Sequence, residues 1–163
     1  MKTLLLVRHA KSSWDSAVST DAERPLNDRG KHDAPMMAKR LLERKVAIDR
    51  FISSPAKRAK RTGEFFLEKY NGKDKQLILS KNLYEASVGD FYQVISQQED
   101  SDQHIAIFSH NPGITEFANK LTEVKIDNMP TCSVFAINAD IEYWKDFEKA
   151  NKSFSFFDYP KNI

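Results

Sequence analysis

The stretch Thr-Leu-Leu-Leu-Val-Arg-His at residues 3–9 joins a short, continuous apolar run directly to two basic side chains. A run without alternating polar residues is typical of a parallel strand that is covered on both faces. It is too short for a signal-peptide core, which needs about 7–15 apolar residues, or for a membrane helix, which needs about 20. We therefore predict a buried strand over residues 3–7 that ends at Arg8 and His9, with no targeting segment and no membrane partner.

Strand-like and helix-like patterns alternate along the rest of the chain. The predicted strands cover residues 3–7, 48–53, 76–79, 104–109, 131–138 and 153–159. The predicted helices begin near residues 27, 54, 87 and 111, and residues 141–149 fit either a loop or a short helix. Alternation of this kind is typical of layered α/β proteins. The expected fold is one three-layer α/β/α domain over residues 1–163, with a largely parallel sheet and an antiparallel edge formed by the last two strands.

Several helix starts carry local signals. Asn27 is expected to cap a helix that runs to about residue 44, although Pro35 conflicts with its interior and predicts a kink or a second start capped by Asp33. Ser54, which precedes a proline, is expected to be the N-cap of the second helix. Ser87 and the acidic residue three positions later match a capping box.

Composition narrows the class of protein. With 40% apolar residues and 11% aromatic residues, the chain is predicted to fold rather than to be disordered. Its 25 basic and 23 acidic residues leave a net charge of +2, so no nucleic-acid partner is expected and any anion site must be built locally. The basic segment over residues 57–61 is interpreted as a solvated helix face, with an acidic or nucleic-acid partner as the alternative. The single cysteine, Cys132, fits a reducing compartment, and we predict a cytoplasmic protein.

Polar clusters follow three of the predicted strands. Arg8 and His9 follow the first strand, Arg58 follows the second, and His110 follows the fourth. Ligands of open α/β sheets bind beyond the carboxyl ends of parallel strands, and the helices that begin there favour anions. These clusters therefore predict a positively charged pocket the size of a phosphate group. Because no carboxylate cluster accompanies it, we expect neither a metal ion nor another cofactor.

The motifs at these positions resemble those of a known enzyme family. They are Leu6-Val7-Arg8-His9-Ala10, Pro25-Leu26-Asn27-Asp28-Arg29-Gly30, Ser53-Ser54-Pro55 with Arg58-Ala59 and Thr62, and Ser109-His110-Asn111-Pro112. In order and spacing they resemble the histidine phosphatase superfamily, and the tail over residues 156–161 resembles its short SixA-like branch. The resemblance implies a phosphoglycerate mutase-like fold and a phosphatase.

The resemblance also implies roles for individual residues. His9 is the expected nucleophile, which becomes a phosphohistidine that water then hydrolyses. Arg8, Arg58 and His110 are expected to bind the phosphoryl oxygens, and Asn111 is a further candidate that either contacts phosphate or caps its loop. Lys11 and Ser12 are close to the pocket in sequence and carry the same two readings. Independently of the family, a neutral imidazole is a competent nucleophile near pH 7.

The proton donor is left open between three carboxylates. Glu85 is the positional candidate after the third strand, and Asp15 and Asp21 in the loop after His9 are its rivals. An alkyl phosphate needs such an acid, whereas a phosphohistidine needs it less because its ring nitrogen can leave protonated. The predicted substrate is a phosphohistidine on a protein. The alternative is a small phosphate ester, handled by a phosphomonoesterase or a phosphoglycerate mutase-like enzyme.

Overall fold

The protein is built around one six-stranded sheet. A computed structural model describes residues 1–14, 20–70, 72 and 76–163. The strands are β1 (Lys2–Arg8), β2 (Arg50–Ser53), β3 (Leu77–Leu79), β4 (His104–Ser109), β5 (Val134–Ala139) and β6 (Lys152–Asp158). Their order across the sheet is β3-β2-β4-β1-β5-β6, with β3, β2, β4 and β1 mutually parallel. β5 runs antiparallel to both β1 and β6, which confirms the predicted antiparallel pairing at this edge.

Helices cover both faces of the sheet. They are α1 (Asp28–Glu43), α2 (Lys57–Lys69), α3 (Val88–Ser96) and α4 (Gly113–Leu121). Side chains of β1 alternate between two cores: Leu4 and Leu6 pack with α3 and α4, whereas Leu5 and Val7 pack with α1 and α2. This explains why the opening run is apolar at every position, since both faces of β1 are buried. The predicted three-layer α/β/α architecture is confirmed.

Two of the predicted helix starts match their capping signals. The Asn27 side chain accepts a hydrogen bond of 2.9 Å from the backbone N–H of Gly30 and caps α1. At α3, Ser87 accepts from the backbone N–H of Asp90, and the Asp90 carboxylate accepts from that of Ser87. This reciprocal capping box supplies acceptors for two N–H groups that the first helical turn leaves unpaired. Both helices therefore begin where the sequence predicts.

Two helix caps predicted from the sequence, at Asp33 and at Ser54, are not formed. Helix α1 continues through Pro35 without a second start at Asp33, because Met37 and Leu41 are fully buried beyond it and this burial outweighs the roughly 3 kcal/mol that an interior proline costs. Helix α2 begins at Lys57 with Ala56 as N-cap, so Ser54 does not cap it. The Ser54 hydroxyl instead accepts from the backbone N–H of Ala56 in the preceding turn.

The remaining segments complete the sheet without adding a layer. The ambiguous segment over residues 141–149 contains a short 3₁₀ turn, Trp144–Asp146, whose tryptophan is buried. Strand β2 begins two residues later than predicted and β5 three residues later, as is common at element ends. In the described part of the chain, no helix combines the length and the apolar character needed to cross a membrane.

Candidate active site

A cavity of about 520 Å³ opens at the carboxyl ends of the parallel strands. Arg8 and His9 reach it from the end of β1, Arg58 from the first turn of α2, and His110 from the end of β4. The convergence predicted from the strand ends is therefore confirmed, and these four side chains lie in one cavity. Glu85 and Asn111 line the same cavity.

His9 is held in one tautomer. Its Nδ1 lies 2.7 Å from the backbone carbonyl of Ala10, and because a carbonyl only accepts, Nδ1 must carry the proton. The other ring nitrogen, Nε2, then bears a lone pair. The side chain is only 6% exposed, and burial, reinforced by His110 and Arg58, lowers the pKa of His9 to about 3. A neutral imidazole with its lone pair on Nε2 is the form that a nucleophile requires.

Backbone contacts fix the segment that carries His9. The N–H of Ala10 donates to the Thr62 hydroxyl at 3.0 Å, and this hydroxyl donates in turn to the carbonyl of Arg58 at 2.8 Å. The N–H of Cys132, whose φ of 61° lies in the left-handed region, approaches the carbonyls of Arg8 and His9 at 3.0 Å each. The nucleophile is thus tied to α2 on one side and to the loop before β5 on the other.

His110 lies beside His9 with the two ring centroids 5.1 Å apart. Its Nε2 is 2.8 Å from the hydroxyl of Ser54. Ser54, which the sequence predicted to be a helix cap, therefore contacts His110 instead. Burial, followed by the charge of Arg58, lowers the pKa of His110 to about 3. Both histidines are therefore neutral near pH 7.

The two arginines differ in their partners. Arg8 donates from Nη1 to the carbonyl of Met129 at 2.8 Å, and burial together with Arg58 lowers the pKa of its guanidinium. Arg58 donates from Nη1 to the Asp21 carbonyl at 2.7 Å and from Nη2 to the Asp21 carboxylate at 2.9 Å. Both cations are oriented by the protein before any ligand arrives, which is the preorganisation that charge stabilisation needs.

Unsatisfied polar atoms concentrate in this cavity. Among the described residues, three buried side-chain polar atoms lack a hydrogen-bond partner, and two of them are Arg8 Nε and His110 Nδ1. The third is the hydroxyl of Ser133. A buried polar atom without a partner costs about 1–3 kcal/mol, and such atoms in native proteins are often functional. An anion bound in the cavity could supply the missing acceptors.

Asp21, one of the candidate proton donors, is a hub of hydrogen bonds. Its carboxylate accepts from the Tyr84 hydroxyl at 2.6 Å, from Arg58, and from Arg24 Nη1 at 2.8 Å. The Tyr84 hydrogen bond, followed by those of Arg58 and Arg24, holds the pKa of Asp21 well below its usual range. A carboxylate that is ionised throughout the neutral range has no proton to donate. Asp15, the other rival, lies outside the described residues.

Glu85 has the position expected of the acid. It lines the cavity and is exposed, and no described residue pairs with its carboxylate. Its φ of 55° is in the left-handed region, which is uncommon for glutamate and is found disproportionately at functional sites. Next to it, the carbonyl of Ala86 lies against Gly113, where an added Cβ would come within 2.2 Å of that oxygen. The backbone next to Glu85 therefore packs closely against the start of α4.

Three further predicted residues have structural partners. The amide nitrogen of Asn111 donates to Asn128 at 2.7 Å and to the carbonyl of Met129 at 3.1 Å, so both of its hydrogens are engaged. This geometry favours loop capping over phosphate contact for Asn111. Ser12 accepts a hydrogen bond from Arg24 and Lys11 lines the cavity, while the Lys11 carbonyl accepts from the N–H of Asn27 at 3.0 Å.

The sequence reasoning missed several cavity-lining residues. Among them are Trp14, Arg24, Tyr84, Glu116 and Thr131. Arg24 and Tyr84 immediately precede the quoted Pro25 motif and Glu85, and this adjacency was the available signal. In residues 1–14, 20–70, 72 and 76–163, no three His, Cys, Asp or Glu side chains are grouped closely enough to hold a metal ion.

Two oriented arginines, a neutral buried imidazole and a second histidine line one cavity, an arrangement suited to binding a phosphoryl group. The family model described as the histidine phosphatase superfamily (branch 1) matches residues 4–112. The chain therefore belongs to the histidine phosphatase superfamily, a class of phosphatase enzymes.

Relatives in sequence are distant. An uncharacterized chloroplastic protein of Arabidopsis thaliana is 25% identical over 160 residues, which cover 89% of this chain and 70% of the relative. A 2,3-bisphosphoglycerate-dependent phosphoglycerate mutase of Bartonella tribocorum is 33% identical over 91 residues. That match covers 55% of this chain and 44% of the mutase, so the chain aligns with less than half of that enzyme.

Solved structures share the whole fold. The protein histidine phosphatase SixA complexed with tungstate superposes with a TM-score of 0.83 at 22% identity, covering 98% of each chain. A mycobacterial glucosyl-3-phosphoglycerate phosphatase complexed with VO₃ superposes with a TM-score of 0.72 at 12% identity, covering 96% of this chain and 98% of that one. At these identities, the similarity establishes the fold, which is the phosphoglycerate mutase-like fold expected from the motifs.

Proposed function

We propose that this protein is a phosphatase that removes the phosphoryl group from phosphohistidine side chains of proteins. The observation that carries this proposal is the state of His9, a buried neutral imidazole whose Nδ1 proton is committed to the Ala10 carbonyl beside two arginines. In the first step, Nε2 of His9 forms a bond to phosphorus while the bond from phosphorus to the substrate nitrogen breaks. In the second step, water attacks phosphorus, inorganic phosphate leaves and His9 is restored.

Charge stabilisation is assigned to side chains of the protein. Arg8, Arg58 and His110 would contact the three phosphoryl oxygens, over which negative charge is spread during transfer. Arg8 Nε and His110 Nδ1, which lack partners, are donors available for this purpose, with His110 in the tautomer protonated at Nδ1. Two fixed cations replace the neutralising role that metal ions have in other phosphoryl-transfer enzymes. We therefore propose a metal-independent reaction.

A small phosphate ester is the second candidate substrate, and the position of Glu85 in the cavity favours it. An alkoxide leaves poorly without a proton, and Glu85 is an exposed carboxyl group in the cavity that could supply one. The mutase activity of the Bartonella relative is less well supported. Its match covers only 55% of this chain and 44% of the mutase, so more than half of that enzyme has no counterpart here.

The decisive experiment is to trap the intermediate. Brief incubation with a ³²P-labelled phosphohistidine peptide, followed by a denaturing quench, should leave acid-labile, alkali-stable label on His9. The matched control is His9→Ala, which should carry no label while retaining the same circular dichroism spectrum. Label on serine, on aspartate or on another histidine would contradict the proposed nucleophile.

A second experiment tests the proposed metal independence. After treatment with EDTA and exhaustive dialysis, hydrolysis of the phosphohistidine peptide should keep its full rate. Vanadate and inorganic phosphate should inhibit it competitively, because both are expected to bind in the arginine-lined cavity. Loss of activity on chelation, with recovery on adding a divalent ion, would show that a metal takes part.

A further inference from the structure

Trp14 is exposed at the edge of the active-site cavity. The chain has two tryptophans, of which Trp144 is completely buried in the core while Trp14 is 77% exposed. Trp14 nevertheless lines the same cavity as His9 and Arg58. Indole is the largest apolar side chain, and leaving it in water forgoes the favourable free energy of its burial. The exposed indole is therefore available to a molecule that binds at the cavity.

The ring is supported from beneath by a fixed cation. The Arg24 guanidinium carbon lies 3.5 Å from the centroid of the Trp14 ring, which is a close cation–π contact. Arg24 is itself held by the Ser13 carbonyl at 3.0 Å and by the Asp21 carboxylate at 2.8 Å, and its side chain is only 11% exposed. The indole therefore packs against a guanidinium group that is itself held in place. An aromatic ring held in this way loses little conformational entropy when it binds a second group.

The cavity has room for more than a phosphoryl group. Its volume of about 520 Å³ lies in the range of pockets for drug-sized ligands, about 300–1,000 Å³. Arg8, Arg58, His9 and His110 account for the phosphoryl end. The remaining lining includes Trp14, Tyr84, Ala86 and Pro112, which offer largely apolar surface. This part of the cavity is suited to the group from which the phosphoryl is removed.

We propose that Trp14 is a specificity-determining residue that packs against the polypeptide on either side of the phosphorylated side chain. This inference rests on the proposed function. A substrate small enough to lie wholly inside the cavity would leave most of the exposed indole uncovered. A peptide whose phosphorylated side chain enters the cavity must continue across its edge, where Trp14 lies. Tryptophan is also among the residues most enriched at the energetic centres of protein interfaces.

The first test compares two P–N substrates that differ in size. We would measure kcat/KM for a phosphohistidine peptide of about ten residues and for phosphoramidate, which has no peptide. Trp14→Ala should lower the ratio of kcat/KM for the peptide to kcat/KM for phosphoramidate at least about tenfold, mainly through a higher KM for the peptide. Trp14→Phe should recover part of this loss. The matched control is Tyr143→Ala, which removes an aromatic residue that is 48% exposed and lies outside this cavity.

The outcomes separate this inference from the proposed function. A ratio that stays at the wild-type value in Trp14→Ala, or equal losses on both substrates, would overturn the role of Trp14 while leaving the phosphatase intact. Failure of the wild-type enzyme to hydrolyse either P–N compound would overturn the proposed function, and the inference with it.

A binding measurement gives a readout independent of turnover. Because Trp144 is buried, quenching of tryptophan fluorescence by iodide should report mainly on Trp14. A peptide carrying a non-hydrolysable phosphonate analogue of phosphohistidine should protect that fluorescence, whereas inorganic phosphate should not. Trp14→Phe should remove the quenchable component, which serves as the control. Equal protection by peptide and phosphate, or protection by neither under saturating conditions, would contradict contact between Trp14 and the peptide.

Discussion

The two ends of the parallel strands carry similar residue types in different surroundings. At the amino end, His104 Nδ1 lies 2.9 Å from the Asp49 carboxylate, and Arg50 Nε lies 2.8 Å from that of Asp102. At the carboxyl end, the rings of His9 and His110 have no carboxylate partner among the described residues, and both have pKa values lowered to about 3. The ring of His104 is engaged by a carboxylate. A histidine that is buried and neutral is available for chemistry.

This contrast teaches that residue type alone does not identify a site. Arginine and histidine occur at both edges of the sheet, and Arg58 pairs with a carboxylate just as Arg50 does. What differs is that two buried polar atoms at the carboxyl edge have no partner. At the amino edge, His104 and Arg50 are paired with the carboxylates of Asp49 and Asp102. At the carboxyl edge, Arg8 Nε and His110 Nδ1 are buried without a partner.

The largest difference is expected between substitutions of two histidines at opposite edges of the sheet. His9→Ala should lower kcat on a phosphohistidine peptide by about 10⁴-fold or more, because no other group replaces the covalent nucleophile. His104→Ala should keep the wild-type rate, since its ring contacts Asp49 far from the cavity. Steady-state rates of both purified variants would settle the point. Substantial turnover by His9→Ala would assign the nucleophile elsewhere.

The next effect concerns a carboxyl group that has no described ion-pair partner. Glu85→Gln should slow hydrolysis of an alkyl phosphate by about 10²–10⁴-fold, the usual contribution of a general acid, while slowing a phosphohistidine peptide far less. The reason is that an alkoxide needs a proton to leave and an imidazole needs it less. Asp102→Asn at the amino edge should alter neither rate. Equal losses on both substrates would make Glu85 a binding residue rather than an acid.

A smaller effect is expected for the arginines. Arg58→Ala should reduce kcat/KM about 10²–10³-fold on both the ester and the phosphohistidine peptide, because both reactions share the same phosphoryl charge. Arg50→Ala should leave both values intact while lowering the midpoint of urea unfolding, since its side chain pairs with Asp102. If Arg58→Ala affected only one of the substrates, a role in the shared transition state would be excluded.

The smallest effect is thermodynamic. The pKa of His9 is about 3 in the folded protein and about 6.5 in an unfolded chain, so between these values the unfolded state binds a proton that the folded state does not. The free energy of unfolding should therefore fall as pH decreases from 6.5, by up to about 1.4 kcal/mol per pH unit from His9. His9→Gln should show a shallower decline in urea melts at pH 7, 6 and 5. A slope identical to that of wild type would contradict the lowered pKa.

Much of the fold could be predicted because its signals are local. The Asn27 cap, the Ser87 capping box and the apolar run of β1 each depend on residues within one turn or one strand. Pro35 shows where local reasoning fails, because the burial of Met37 and Leu41 against the sheet is a tertiary effect. The cap assigned to Ser54 failed for a similar reason, since its hydroxyl contacts a histidine 56 residues away.

The site was predictable where topology fixes it and unpredictable where loops meet. Strand ends placed Arg8, His9 and His110 together, because parallel strands finish at one edge. The hydrogen bond between Tyr84 and Asp21 joins residues 63 positions apart, and no periodicity encodes it. Neither the ionised state of Asp21 nor the exposure of Trp14 could be inferred before both loops were in place.

Two glycines at helix starts lie close to the backbone of residues that line the cavity, Lys11 and Ala86. An added Cβ at Gly30, at the start of α1, would come within 2.2 Å of the Lys11 carbonyl, as it would at Gly113 with the Ala86 carbonyl. Each contact is with backbone that cannot rotate aside, so neither position can accept a side chain unless a cavity wall shifts. For protein engineering, this makes the width of the cleft a property of helix placement. New substrate preferences would have to be introduced through rim side chains such as Trp14 and Glu116, which can be exchanged without moving either wall.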